Sequence, residues 1–140
     1  DGNSWNREKT VSEVEILNTV KSHFGTDTLT KLEDAAHSTA RNFKIAGAKG
    51  TFGIISTVTN PFCDSCNRIR LTADGKIKNC LFASNETDLL TALRNGDDIK
   101  QLIRQSILAK KKQRAGIESF ESVDPDKIYS SNRSMTTIGG

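Results

Sequence analysis

The chain has 140 residues, of which 35% are hydrophobic and 26% charged, the length of about one domain and the polar balance of a globular one. Its net charge of +3 suits anionic ligands but is too small to argue for nucleic acid by itself. No apolar run approaches a membrane span and no signal-peptide pattern opens the chain. Three cysteines cannot all pair, so a reducing cytoplasm fits better than a disulfide framework. The first residue is Asp1 rather than Met, which reads as a cut edge.

Residues 1–10 look irregular. Ser12 followed by Glu15 predicts a capping box, and Val14, Leu17 and Val20 continue at helical spacing to a stop at Gly25. Residues 26–40 are polar and read as loop. "NFKIAGAKGTFGIISTV" reads as two strands joined by a tight turn near 47–50. After Asn60-Pro61 comes the cysteine region. A short helix is expected from Asn85 to Asn95-Gly96. A longer one follows Asp97, with Ile99, Leu102, Ile103, Ser106 and Ile107 as its buried stripe and "AKKKQRAG" supplying basic last turns. The Ser-rich tail, ending Gly139-Gly140, is coil by default. Antiparallel hairpins with helices to one side make an α+β fold.

The hairpin "RIRLTADGKIKNC" admits two loop lengths around Asp74-Gly75. A two-residue loop mixes apolar and charged side chains on both faces. A three-residue loop, with Gly75 left-handed, pairs Thr72 with Lys76, Arg70 with Lys78 and Arg68 with Cys80. That register gathers Ile69, Leu71, Ile77 and Leu81 on one face, and Arg68, Arg70, Thr72, Lys76, Lys78 and Cys80 on the other. The apolar face, expected to be buried, selects the three-residue loop.

Cys63 and Cys66 have C-x-x-C spacing, and the hairpin returns Cys80 towards them. A zinc site would need a fourth ligand, with His23 and His37 the candidates in no recognisable spacing. A thioredoxin-like pair would open a helix, whereas strand follows Cys66. Inert structural thiols rarely sit among Asn, Asp and Arg. An iron–sulfur cluster with three cysteines would leave one iron open to a substrate atom. Arg68 and Arg70 read either as a solvated strand face or as two planar forks for a polyphosphate or nucleotide. Lys76 and Lys78 read as solubilising charges near the tip.

"NPFCDSCNRIRLTADGKIKNCLF" resembles the C-terminal cluster motif of the GTP 3′,8-cyclase family (molybdenum cofactor biosynthesis protein A), which are radical S-adenosylmethionine enzymes. The pattern C-x-x-C-N-R-x-R-x-x-x-D-G-x-x-x-x-C-L-F is filled at every named position. "DGNSWN", "STARNFKI", "KKKQRAG" and the closing Gly-Gly resemble further family landmarks, with Ser134 standing where the family often has Pro.

The resemblance implies that Cys63, Cys66 and Cys80 hold an auxiliary four-iron–four-sulfur cluster whose open iron takes the guanine of GTP. It implies that Arg68, Ile69 and Arg70 contact GTP, that Gly139 and Gly140 form an active-site tail, and that the enzyme is commonly a homodimer. The family's C-x-x-x-C-x-x-C motif, which binds a second cluster and cleaves S-adenosylmethionine to start conversion of GTP to its 3′,8-cyclised product, is not in this sequence. The chain therefore reads as the C-terminal portion of an incomplete radical-SAM α/β barrel enzyme, inactive by itself. Residues 1–40 would end the barrel region, with a helix near 13–24, and 41–140 would form the iron–sulfur and GTP-binding domain. No membrane or nucleic-acid partner is expected. The alternative is a zinc-stabilised nucleotide- or RNA-binding module, against which the hairpin face offers no interleaved aromatics.

Overall fold

The computed structural model describes residues 7–117 and 132–133. "DGNSWN", most of the Ser-rich tail, Ser134 and Gly139-Gly140 lie outside the described residues. The described residues form two compact units that divide between Cys66 and Asn67. This division is one of compactness, whereas the 40/41 boundary read from the sequence is one of place within a larger barrel. Each unit contains a three-stranded antiparallel sheet with helix beside it, so the expected α+β class holds. Among the described residues no helix is long and apolar enough to cross a membrane.

In the first unit, helix α1 (Glu13–Phe24) opens on the expected box. The Glu15 N–H donates to Ser12 Oγ at 3.2 Å, and the Ser12 N–H donates to Glu15 Oε2 at 2.7 Å. Gly25, at φ 97°, ends it. The inward face differs from the expected one. Leu17 and Val20 are half-buried, but Val14 is 65% exposed and Glu13 is buried in its stead. Residues 13, 17 and 20 share a face, so drawing the Glu13 carboxylate inward turns Val14 out.

Strands β1 (Leu29–Lys31), β2 (Arg41–Ile45) and β3 (Thr51–Ile54) follow in sheet order β1-β2-β3. β1 lies within the segment expected to be loop. At three residues it is too short to show a period, and pairing with β2 (Leu29 opposite Ile45) is what makes it a strand. Phe43 and Ile54 are buried, and Phe43 stacks on its cross-strand partner Phe52 with ring centroids 5.6 Å apart.

In the second unit, β4 (Arg70–Leu71), β5 (Lys76–Lys78) and β6 (Thr87–Asp88) form the sheet β4-β5-β6. The three-residue loop is present. Arg70 pairs with Lys78, Leu71 with Ile77, and the Thr72 N–H donates to Lys76 O at 2.8 Å. Gly75 is left-handed at φ 76°, and a Cβ there would stand 2.5 Å from Leu90 Cβ, so glycine is required twice over.

The burial argued for that register does not follow. Ile77 is buried, but Leu71 is 67% exposed, and Ile69 and Leu81 are exposed as well. Thr72 and Lys78, placed on the polar face, are buried instead. The cause is the position of β5 as the central strand. Helices α2 (Leu89–Asn95) and α3 (Ile99–Leu108) pack on β5, and α3 also on β6, so apolar residues at the β4 edge gain little cover.

Residues 85–88 are not helix. Asp88 ends β6 and caps α2, accepting the Thr91 N–H at 2.9 Å. In α3 the stripe begins as expected, with Ile99, Leu102 and Ile103 half-buried and Ser106 buried, but Ile107 is exposed. Asn79 Nδ2 donates to Ser106 O at 2.8 Å, which turns residue 106 rather than 107 towards the sheet. α3 ends at Leu108, so the basic run follows the helix instead of forming its last turns.

Candidate metal and anion site

In the first unit, Cys63–Ser65 form a 3-10 turn, closed by the Cys66 N–H donating to Cys63 O at 3.1 Å. The C-x-x-C pair therefore lies on one tight turn, with neither cysteine in a disulfide and both half-buried. His37 Nδ1 stands 2.6 Å from Ser65 O, and His37 holds a left-handed backbone at φ 62°. The 34–41 loop, with Pro61, Phe62, Asp64 and Ser65, borders an open groove of about 390 Å³. His23 packs edge-on against Phe24 at the end of α1, with centroids 4.6 Å apart.

The turn hangs from a polar knot that the sequence reading missed. Glu13 Oε2 accepts from Arg41 Nη1 at 3.0 Å, from Asn60 Nδ2 at 3.0 Å and from the Ser56 hydroxyl. Arg41 Nη1 also donates to Asn60 O at 2.9 Å. The knot ties α1, β2 and the loop together three residues before Cys63. The signals were an arginine opening the strand "RNFKI" and the Asn60-Pro61 step.

In the second unit, Arg70 is half-buried opposite Lys78. The ladder stops at that pair, so the expected Arg68–Cys80 pairing is not part of the sheet. Arg68 is exposed, and its carbonyl accepts from Lys110 Nζ at 2.7 Å. Ile69 is 46% exposed. Lys78 is not a solubilising charge, being only 2% exposed. Burial pushes its pKa below the ordinary lysine value. Glu86 opposes that shift, Arg133 and Arg70 add to it, and Cys80 opposes it. Cys80, free and half-buried, therefore shares its neighbourhood with two cationic strand residues.

Two further residues unread in the sequence reach this sheet. Asn132 Oδ1 accepts from the Lys78 ammonium, and Asn132 Nδ2 donates to Leu81 O at 3.2 Å. Arg133 donates to both Asp74 and Glu86. Arg114 is buried with a left-handed backbone at φ 38°, in the "KKKQRAG" segment.

The structure thus brings Cys63 and Cys66 together in one unit, and Arg70, Lys78 and Cys80 in the other. Among the described residues no set of three or more His, Cys, Asp or Glu side chains is gathered as metal ligands. The donor chemistry itself, three reduced and half-buried thiols, fits a thiolate-ligated centre. Gly139 and Gly140 lie outside the described residues.

The family model described as Molybdenum Cofactor Synthesis C matches residues 1–116. "Molybdenum cofactor biosynthesis protein 1" of Mus musculus is 38% identical over 142 residues, covering 99% of this chain and 21% of that protein. "GTP 3′,8-cyclase, mitochondrial" of Arabidopsis thaliana is 36% identical over 143 residues, covering 100% of this chain and 34% of that protein. "GTP 3′,8-cyclase" of Streptomyces coelicolor is 38% identical over 138 residues, covering 97% and 38%. The chain spans well under half the length of these relatives. Matched over residues 1–116, with the cysteine and arginine motif inside that span, the chain belongs to the Molybdenum Cofactor Synthesis C family.

Proposed function

We propose that this chain is the GTP-binding, cluster-carrying portion of a GTP 3′,8-cyclase of molybdenum cofactor biosynthesis. Cys63, Cys66 and Cys80 would hold an auxiliary four-iron–four-sulfur cluster. When bound, that group supplies an iron without a protein ligand, open to the guanine base. Arg68 and Arg70 bind the triphosphate through their guanidinium forks, and exposed Ile69 offers an apolar contact to the nucleotide. The Glu13–Arg41–Asn60 knot holds the approach to Cys63. Residues 1–40 belong to the end of a barrel. The radical-generating cluster and S-adenosylmethionine belong to that barrel, in a homodimeric cytoplasmic enzyme, and residues 1–140 without it do not turn over GTP.

The observation that carries this reading is the Arg70–Lys78 pair. Like charges directly opposite on neighbouring strands repel, and one of these two is buried. A bound polyanion offsets that cost, next to the thiol of Cys80.

The test is iron and acid-labile sulfide content, with a visible spectrum, after anaerobic reconstitution of the intact protein and its Cys80→Ala variant. The variant is expected to lose about four irons per chain and the spectral response to GTP. Stoichiometric, colourless zinc that survives iron and sulfide treatment would sink the proposal and favour a zinc-stabilised binding module.

A further inference from the structure

The peptide unit between Ser65 and Cys66 is held at both ends. Its N–H donates back to Cys63 O at 3.1 Å, which closes the 3-10 turn. Its carbonyl oxygen meets His37 Nδ1 at 2.6 Å, from a loop 28 positions earlier in the chain. A carbonyl only accepts, so the proton of this bond is on Nδ1 and His37 is the donor. With both ends engaged the plane of that peptide is fixed, and with it the direction in which the Cys66 side chain leaves the backbone.

His37 reaches that carbonyl from a strained place. The Ser38 N–H donates to Ala35 O at 3.0 Å, which makes residues 35–38 a tight turn with His37 third. At φ 62° His37 fills the left-handed position that such turns ordinarily give to Gly or Asn. Beneath the turn, Asp34 Oδ1 accepts the Asn42 N–H at 2.9 Å and the Leu32 N–H donates to Asn42 O at 2.8 Å, so the loop is rooted on β2. The turn would close with Gly or Asn as well. What the imidazole adds is a donor aimed at the cysteine turn, and strain kept at an exposed loop residue points to such a task. We propose that His37 is a positioning residue, a clamp that sets the Ser65–Cys66 peptide and so aims the Cys66 thiol relative to that of Cys63. The assignment deepens the proposed function, and rests on it in that this turn is the one read as supplying two of the three cluster ligands.

Amide exchange and ring-nitrogen spectra of the intact protein, taken before any metal or GTP is added, test the clamp. His37→Gly keeps the left-handed turn and removes the donor. Exchange at the Cys66 N–H is then expected to rise about fivefold, the equilibrium factor of one neutral hydrogen bond, while the Leu32 N–H keeps its protection. His37→Asn suits the same backbone and carries an amide nitrogen the same number of bonds from Cα as Nδ1, so it is expected to restore the wild-type rate at Cys66. The neutral wild-type ring is expected to carry its proton on Nδ1. Unchanged Cys66 exchange in His37→Gly would overturn the clamp, as would an equal rise at Leu32. So would an asparagine variant as fast as the glycine one, or a ring protonated on Nε2 alone. Iron and sulfide content is read separately. A clamped turn in a protein that takes zinc would sink the proposed function and keep this inference, and a cluster on an unclamped turn would do the reverse.

Discussion

Glu13 in the first unit and Lys78 in the second are both buried charges, and they are answered differently. Glu13 is met by a guanidinium, a hydroxyl and an amide, all converging on Oε2. Its charge is matched one to one by Arg41, and the knot is complete. Lys78 receives a neutral amide oxygen from Asn132, and the carboxylates nearby are already held by Arg133. Around it stand Arg70 and Arg133, both of which disfavour its charged form. A closed, neutral cluster is what a fold uses to hold a loop. A cluster left with excess positive charge suits an anion from outside.

If that distinction is right, the first charge carries stability and the second carries binding. Glu13→Ala removes the acceptor of three donors and strands the Arg41 charge. The expected loss is about 3 kcal/mol in urea denaturation, typical of breaking a buried pair. A loss below about 1 kcal/mol would place the knot with ordinary exposed pairs and remove one side of the comparison. Lys78→Met keeps the stem and removes the ammonium. Relief of an ill-matched buried charge opposes the loss of a donor to Asn132, so stability is expected to stay within about 1 kcal/mol. Affinity of the intact protein for GTP or tripolyphosphate is expected to fall about tenfold. The reverse pattern, stability lost and anion affinity kept, would make Lys78 a second Glu13.

Much of the site was legible in the sequence because it depends on short-range chemistry. The Cys63–Cys66 spacing, the Asp74-Gly75 turn and the Ser12–Glu15 box are all decided within a few residues. The hairpin register was found through a premise that failed. The alternation of Ile69, Leu71 and Ile77 is real, but which face is covered depends on α2, α3 and Asn132–Arg133, none of which lies within the hairpin. Lys78 was misread for the same reason, since the residues that bury it stand as far as 54 positions away. The Glu13–Arg41–Ser56–Asn60 knot joins positions up to 47 apart and has no period to betray it. β1 was missed because three residues become a strand only through their partner.

The smallest expected effect compares an aspartate from each unit, half-buried Asp34 and exposed Asp74. Asp34 is held below the usual aspartate pKa first by Lys31 and then by the Asn42 N–H. Asp74 is held well below it by the Thr72 hydroxyl and then by Arg133. A carboxylate whose folded pKa is depressed contributes stability that is present above its unfolded value, near 3.8 for both, and lost as pH falls through the folded one. Thermal melts of Asp34→Asn and Asp74→Asn should therefore each show a deficit against wild type at pH 6 that shrinks below about pH 4. Only Asp74→Asn should also speed exchange at residues 132–133, because of the two aspartates only Asp74 accepts from Arg133. A deficit that grows towards acid would mean the carboxylate is disfavoured in the fold. Equal exchange at 132–133 in the two variants would leave Glu86 as the anchor of Arg133.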